Sequence, residues 1–148
     1  MERAQAYRRH PRSLYGLLWH DTGQCYIGQT VDMDRRQREH QRAWLRPFVM
    51  VQLEVMVGTQ AEAEEHEYAW RFQCAEAGWQ PLGKTREGKV FVIAPRKRMT
   101  PARYAIARRC QWPRAYKRHP ARVPWWFRWL CWQAAALACV PLILRLPL

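Results

Sequence analysis

Two tyrosines, an arginine and a histidine recur at short intervals near the start of this 148-residue chain: Tyr15, Tyr26 eleven residues on, Arg36 ten after that, and His40 four further. Phenol and imidazole side chains can carry protons, and a guanidinium holds anionic oxygens. At roughly 100° per residue, Met33, Arg36, Gln37, His40, Ala43 and Trp44 share one face of a helix. Asp34, Arg35, Arg38, Glu39 and Arg42 take the other. One arginine and the helix's only histidine therefore sit among its apolar residues, while the other charges point to water. Alone, the pair reads as a satisfied core histidine and an arginine whose stem snorkels past Trp44. Beside the two tyrosines, the functional reading leads.

The elements that must position these groups follow from local pattern. Residues 14–19 form an apolar run, Asp21-Thr22-Gly23 is a turn, and residues 25–29 form a second short run, which predicts a β-hairpin. Asp32 or Asp34 opens the helix as N-cap, and the helix ends near Arg46-Pro47. Residues 48–57 (FVMVQLEVMV) are rich in valine and bounded by proline and glycine, so a third strand is expected. Thr59-Gln60-Ala61-Glu62 has the sequence of a capping box. The helix it starts runs to Ala77 and stops at Gly78, a residue suited to the left-handed position after a helix. Its apolar stripe is Ala63, Trp70, Cys74 and Ala77; among its glutamates only Glu67 lies at the edge of that stripe, with Glu64 one turn earlier and further away.

The segment 13–40 resembles the GIY-YIG nuclease family. Leu14-Tyr15 stands where the family has Ile-Tyr, Tyr26-Ile27-Gly28 is the second half-motif unaltered, and Arg36 and His40 fall where the family keeps an arginine and often a histidine. Glu67-Tyr68-Ala69-Trp70 is similar to the family's glutamate three residues before an aromatic. Trp79-Gln80-Pro81-Leu82-Gly83 is similar to its closing segment, with Gly83 in place of the usual asparagine. Ser13 replaces the first glycine of the motif, and Gly16 directly after Tyr15 is a further departure. The resemblance spans residues 13–92. It implies an α+β fold, a small three-stranded antiparallel sheet flanked by helices, and a metal-dependent endonuclease that hydrolyses DNA phosphodiester bonds. By the same resemblance Tyr15 accepts the proton of water, Tyr26 positions water or phosphate, and His40 supports Tyr15 or the phosphate. Arg36 stabilises the phosphorane, and Glu67 holds one Mg²⁺ or Mn²⁺ ion. The departure at Gly83 leaves a second reading open, a nucleic-acid-binding protein on the same fold with impaired catalysis.

The charge of +13 is unevenly placed: residues 1–83 carry ten Lys/Arg against eleven Asp/Glu, while residues 84–148 carry fifteen against the single Glu87. Such asymmetry points to an anionic partner, nucleic acid or a membrane surface. Lys84, Arg96, Lys97, Arg98, Arg108, Arg109, Lys117 and Arg118 are the candidates for neutralising phosphate, with Tyr104, Trp112 and Tyr116 as faces for base stacking. The expected organisation is a basic arm over residues 1–12, with Pro11 just before the first strand, a nuclease-like domain over 13–92, and a basic, Trp-rich extension over 93–148. Residues 89–94 are either one more strand or the exit from the sheet, and residues 99–110 allow one short helix. The five cysteines are odd in number, widely spaced and never C-x-x-C, so neither a disulfide framework nor a zinc site is expected. A reducing, cytoplasmic setting fits that usage best, and with no apolar core in the N-terminal segment no secretory signal is expected. Residues 125–144 approach the roughly 20 apolar residues that span a bilayer, but Arg128, Gln133 and Pro141 interrupt them. A short peripheral or loosely packed helix is the expectation there, ahead of a membrane tether.

Overall fold

Residues 14–19 are buried without a break, so the strand that holds them must be covered on both faces. The computed structural model describes residues 8–85 and 87–118, and that strand is β1 (His10–Trp19). It is followed by β2 (Gln24–Thr30), α1 (Met33–Ala43), β3 (Val49–Gly58), α2 (Gln60–Glu76), β4 (Gln80–Lys84), β5 (Val90–Val92) and α3 (Pro101–Ala107). Single 3₁₀ turns lie at Pro95–Arg98 and Arg114–Tyr116. The class is α+β. The sheet, however, is mixed and has five strands in the order β3-β1-β2-β4-β5, not three antiparallel ones. The difference lies in β4, which runs parallel to β2 from Gln24↔Gln80 to Tyr26↔Leu82, and in β5, which pairs antiparallel to β4.

Alternate residues of β1 pack toward different helices, as a period of two requires. Leu14 and Leu18 join Cys25, Ile27 and the α2 residues Ala69, Trp70 and Cys74. Tyr15, Leu17 and Trp19 join Leu82, with Tyr26, Met33, Trp44 and Phe48 packed around them. The ends of the helices are set locally. Asp32 accepts from the Arg35 N–H at 2.9 Å, and Thr59 and Glu62 complete the capping box at 3.2 and 2.8 Å. Gly78 follows α2 with φ +89°.

Three expectations are corrected. The N-terminal arm is shorter than residues 1–12, because β1 begins at His10 and includes Pro11. There β1 pairs only with β3, so proline removes no bond to a second neighbour. Arg12 is buried and donates to the Gly58 carbonyl at 3.2 Å. The chain after residue 92 is not an appendage as far as Arg118. Ala107, Cys110 and Trp112 belong to the same buried cluster as α2, and Gln73 donates to the Ala107 carbonyl at 2.7 Å. Finally, Cys25 on β2 and Cys74 on α2 form a disulfide across 49 residues of sequence. Both sulfurs lie in the strand–helix core, a proximity that linear spacing does not report, and the cysteine pattern therefore no longer argues for a reducing compartment. No helix among the described residues is long and apolar enough to cross a membrane. The arm at 1–7 and the apolar stretch at 125–144 lie outside the described residues.

Candidate active site

The register of the hairpin places Tyr15 opposite Gly28 and Tyr26 opposite Leu17, so the two tyrosines are diagonal neighbours on one face. Gly28 is needed for this. A Cβ at that position would lie 2.7 Å from Tyr15 Oη and 3.1 Å from Tyr26 Cε1, so only a residue without one lets the Tyr15 phenol cross the strand. The pairing of β2 with β4 ends at Tyr26–Leu82. Beyond that point a cleft of about 380 Å³ is lined by Gly28 and Gln29 of β2 together with Gln60, Glu64, Glu67, Tyr68 and Arg71 of α2. Tyr15, Tyr26 and Arg36 complete its wall.

His40 reaches Tyr15 from α1, with Nε2 2.7 Å from Tyr15 Oη. Its tautomer follows from Trp44, whose indole can only donate. Trp44 Nε1 donates to His40 Nδ1 at 3.2 Å, so the neutral ring carries its hydrogen on Nε2 and donates to the Tyr15 oxygen. The proton of Tyr15 is thereby left free of His40. Burial, with the Arg36 and Lys84 cations, pulls His40 down from 6.5 to about 4, and the ring is neutral at neutral pH. Tyr15 is pushed well above the usual tyrosine range, mainly by burial and then by Tyr26, with Arg36 opposing. Tyr26 is raised by burial and by Glu67.

Arg36 sits one turn before His40 and pairs with Glu39 at 2.7 Å. Glu67 is largely shielded from solvent and pairs with Arg71, one turn further along α2. Burial raises the Glu67 carboxyl; Arg71 opposes that effect and Glu64 adds to it. Tyr15, Tyr26, Arg36 and Glu67 therefore come from four elements to one cleft, and His40 backs it through Tyr15. Arg71 and Trp44 escape a reading of spacing, though both stand four residues from a singled-out partner, the i,i+4 distance at which helical side chains meet.

Among the described residues no three His, Cys, Asp or Glu side chains gather as a metal-holding group. Mg²⁺ asks for less: one or two carboxylates, with waters and substrate phosphate filling the remaining positions. The oxygen-rich wall of Glu67, Glu64, Gln60 and the two phenols fits one hard divalent ion on Glu67, where the guanidinium of Arg71 now balances the charge.

Of the eight basic residues expected to meet phosphate, Arg96 alone is paired with an acid among the described residues. Arg96 pairs with Glu76 at 2.7 Å, and Arg98 donates to the Tyr68 hydroxyl at 3.4 Å. Arg118 donates to the His20 carbonyl at 3.2 Å and lies over Trp79. Lys84 lies 5.6 Å from the Trp44 ring centroid, behind His40. Arg109 lines a second cavity with Glu54, His66 and Cys110. Of the stacking faces, Trp112 is buried and donates to the Tyr116 carbonyl, so it is not available to a base. Tyr104 is exposed and packs edge-on against Phe72. Comparison with protein-family models, curated proteins and solved structures finds no match for this chain.

Proposed function

We propose that this protein is a divalent-metal-dependent endonuclease of the GIY-YIG type acting on DNA. The observation that carries the reading is the convergence of Tyr15, Tyr26, Arg36 and Glu67 on one cleft, with the His40 N–H aimed at the Tyr15 oxygen. Glu67 would hold a Mg²⁺ or Mn²⁺ ion, and that ion would supply the positive charge that phosphodiester hydrolysis needs. Tyr15 takes the proton of the attacking water as the phenolate, its own phenol proton having first passed to solvent through the cleft. Its burial works against a phenolate, and the His40 hydrogen bond and the Arg36 charge work for it. Arg36 neutralises a non-bridging oxygen as the phosphorane forms. Tyr26 orients water or phosphate beside it.

One observation favours the second reading, nucleic-acid binding without cleavage. A Cβ at Gly83 would lie 2.5 Å from Phe91 Cζ. A side chain at this position, such as the asparagine of the resembled family, would require the exposed Phe91 ring to swing aside, and with Gly83 here whatever that asparagine does must be done otherwise. Nicking of supercoiled plasmid with and without Mg²⁺ separates the readings. The expected result is Mg²⁺-dependent nicking, reduced about 10²–10³-fold in Arg36→Ala and abolished in Glu67→Ala and Tyr15→Phe with DNA binding kept. Nicking by Glu67→Ala at the wild-type rate would move the metal assignment to Glu64.

A further inference from the structure

Arg71 has no part in the chemistry so far. Its guanidinium pairs with Glu67 and lies 5.1 Å from the Tyr68 ring centroid, and its Nε is buried with no hydrogen-bond partner. Arg36 is in the same condition in the same cleft, paired with Glu39 and with its own Nε buried and unpartnered. Buried donors without acceptors are costly and uncommon. Among the described residues only three buried side-chain N or O atoms are in that state, and two of them belong to these arginines.

A Glu–Arg pair four residues apart on a helix is ordinarily a solvated surface feature. Low exposure of both partners sets this pair apart. The Glu67 and Arg71 side chains are 13% and 15% exposed, whereas Glu76 and Arg96 are 43% and 76%. A largely shielded guanidinium and a hard cation compete for one carboxylate. An ion arriving alone must strip Arg71 from Glu67 and leave a shielded charge unpaired. A phosphodiester arriving alone must draw Arg71 away and leave the carboxylate bare. When both arrive, each relieves the other: the ion takes Glu67 and the phosphate oxygens take the guanidinium fork.

Resting on the assignment of Glu67 as metal ligand, we infer that Arg71 is a latch that competes with the divalent ion in the free protein and, once released, joins Arg36 as the second arm of a phosphate clamp. Arg71 is then a positioning residue for the metal carboxylate before it is a contact to substrate. Metal ion and nucleic acid bind with positive coupling, by equal factors in both directions. The cleft is kept from loading with metal until a phosphodiester is present.

The test uses the full chain. Mn²⁺ affinity without nucleic acid is measured by electron paramagnetic resonance. Affinity for a short duplex with a phosphorothioate backbone is measured by anisotropy with and without Mn²⁺. Arg71→Ala is expected to bind Mn²⁺ about fivefold tighter or more, and to lose most of the gain in duplex affinity that Mn²⁺ gives the wild type. Arg71→Lys keeps a cation against Glu67 but lacks the fork. It is expected to bind Mn²⁺ nearly as the wild type does while losing the same gain, and it serves if the alanine variant fails to fold. Arg9→Ala, which breaks the exposed Arg9–Glu62 pair outside the cleft, is expected to change neither measurement. Mn²⁺ binding that depends on Glu67 but is no tighter in Arg71→Ala overturns the latch and leaves the nuclease reading standing. Mn²⁺ binding unaffected by Glu67→Gln overturns the latch together with the assignment of Glu67 as metal ligand.

Discussion

The two faces of the sheet are built from the same strands and do different work. Toward α2, the inward residues are Leu14, Leu18, Cys25 and Ile27, met by Ala69, Trp70 and Cys74, and the disulfide joins strand to helix. Toward α1, the same strands present Tyr15, Trp19 and Tyr26, met by Trp44 and Phe48, and α1 itself contains no fully buried residue. One face is closed by apolar volume. The other is closed by aromatic rings with polar ends, which is what leaves hydroxyl, imidazole and guanidinium groups near a cleft. The division teaches that a strand's alternation can separate stability from chemistry residue by residue. Adjacent positions in sequence, Leu14 and Tyr15, then tolerate change for different reasons.

Breaking the apolar face should have the largest effect on stability. Trp70 is 3% exposed, and its Nε1 donates to Glu54 at 2.7 Å. Trp70→Ala is expected to cost about 3–5 kcal/mol, read by urea denaturation, and to leave little folded protein at 37 °C. Gly28→Ala tests the other face. The added methyl meets the Tyr15 phenol rather than a flexible chain end. Overpacking there should cost roughly 1–3 kcal/mol and displace Tyr15 from His40, so that nicking falls further than stability does. If Gly28→Ala retains wild-type nicking, the placement of Tyr15 over the strand does not matter to function.

The smallest effect is in pH. His40 is held neutral in the fold, from an ordinary value of 6.5 down to about 4. The unfolded chain therefore takes up a proton that the folded chain refuses. The contribution of His40 to stability is present above pH 6.5 and is lost as the pH falls toward 4. Thermal melts over that window should show a shallower acid slope for His40→Phe than for the wild type. Identical slopes would mean that burial and the Arg36 and Lys84 cations do not hold the ring neutral.

What could be read in the sequence was local. The hairpin, the caps at Asp32 and Thr59–Glu62 and the stop at Gly78 are short-range patterns, and the described elements carry them, whereas Arg36 is not set apart from the other charges of α1, because it pairs with Glu39. The meeting of Tyr15, Tyr26, Arg36 and Glu67 in space was expected only from resemblance. What escaped was non-local. β4 contains Pro81 and Gly83 and no alternation, and it is a strand because β2 lies beside it. Trp112, set among arginines and prolines, reads as a nucleic-acid contact, but it fills the core against α2. The charge asymmetry between the two halves of the chain is partly cancelled in space, since Arg96 and Arg103 fold back onto Glu76 and Glu65 of α2. Counting charges along a line overstates the field that a partner meets.

The Cys25–Cys74 bond has a topological consequence. It makes a covalent ring of the chain between β2 and α2, and Tyr26, Arg36, His40, Glu67 and Arg71 all lie within that ring. Closing a loop of this length restricts the unfolded chain by about 4 kcal/mol in the chain-entropy description. Leu45, fully exposed between α1 and β3, also lies on the ring. A single backbone cut there opens the ring without parting the molecule. The oxidised protein would remain one covalent piece, with the tyrosine-bearing hairpin still tied to the glutamate-bearing helix.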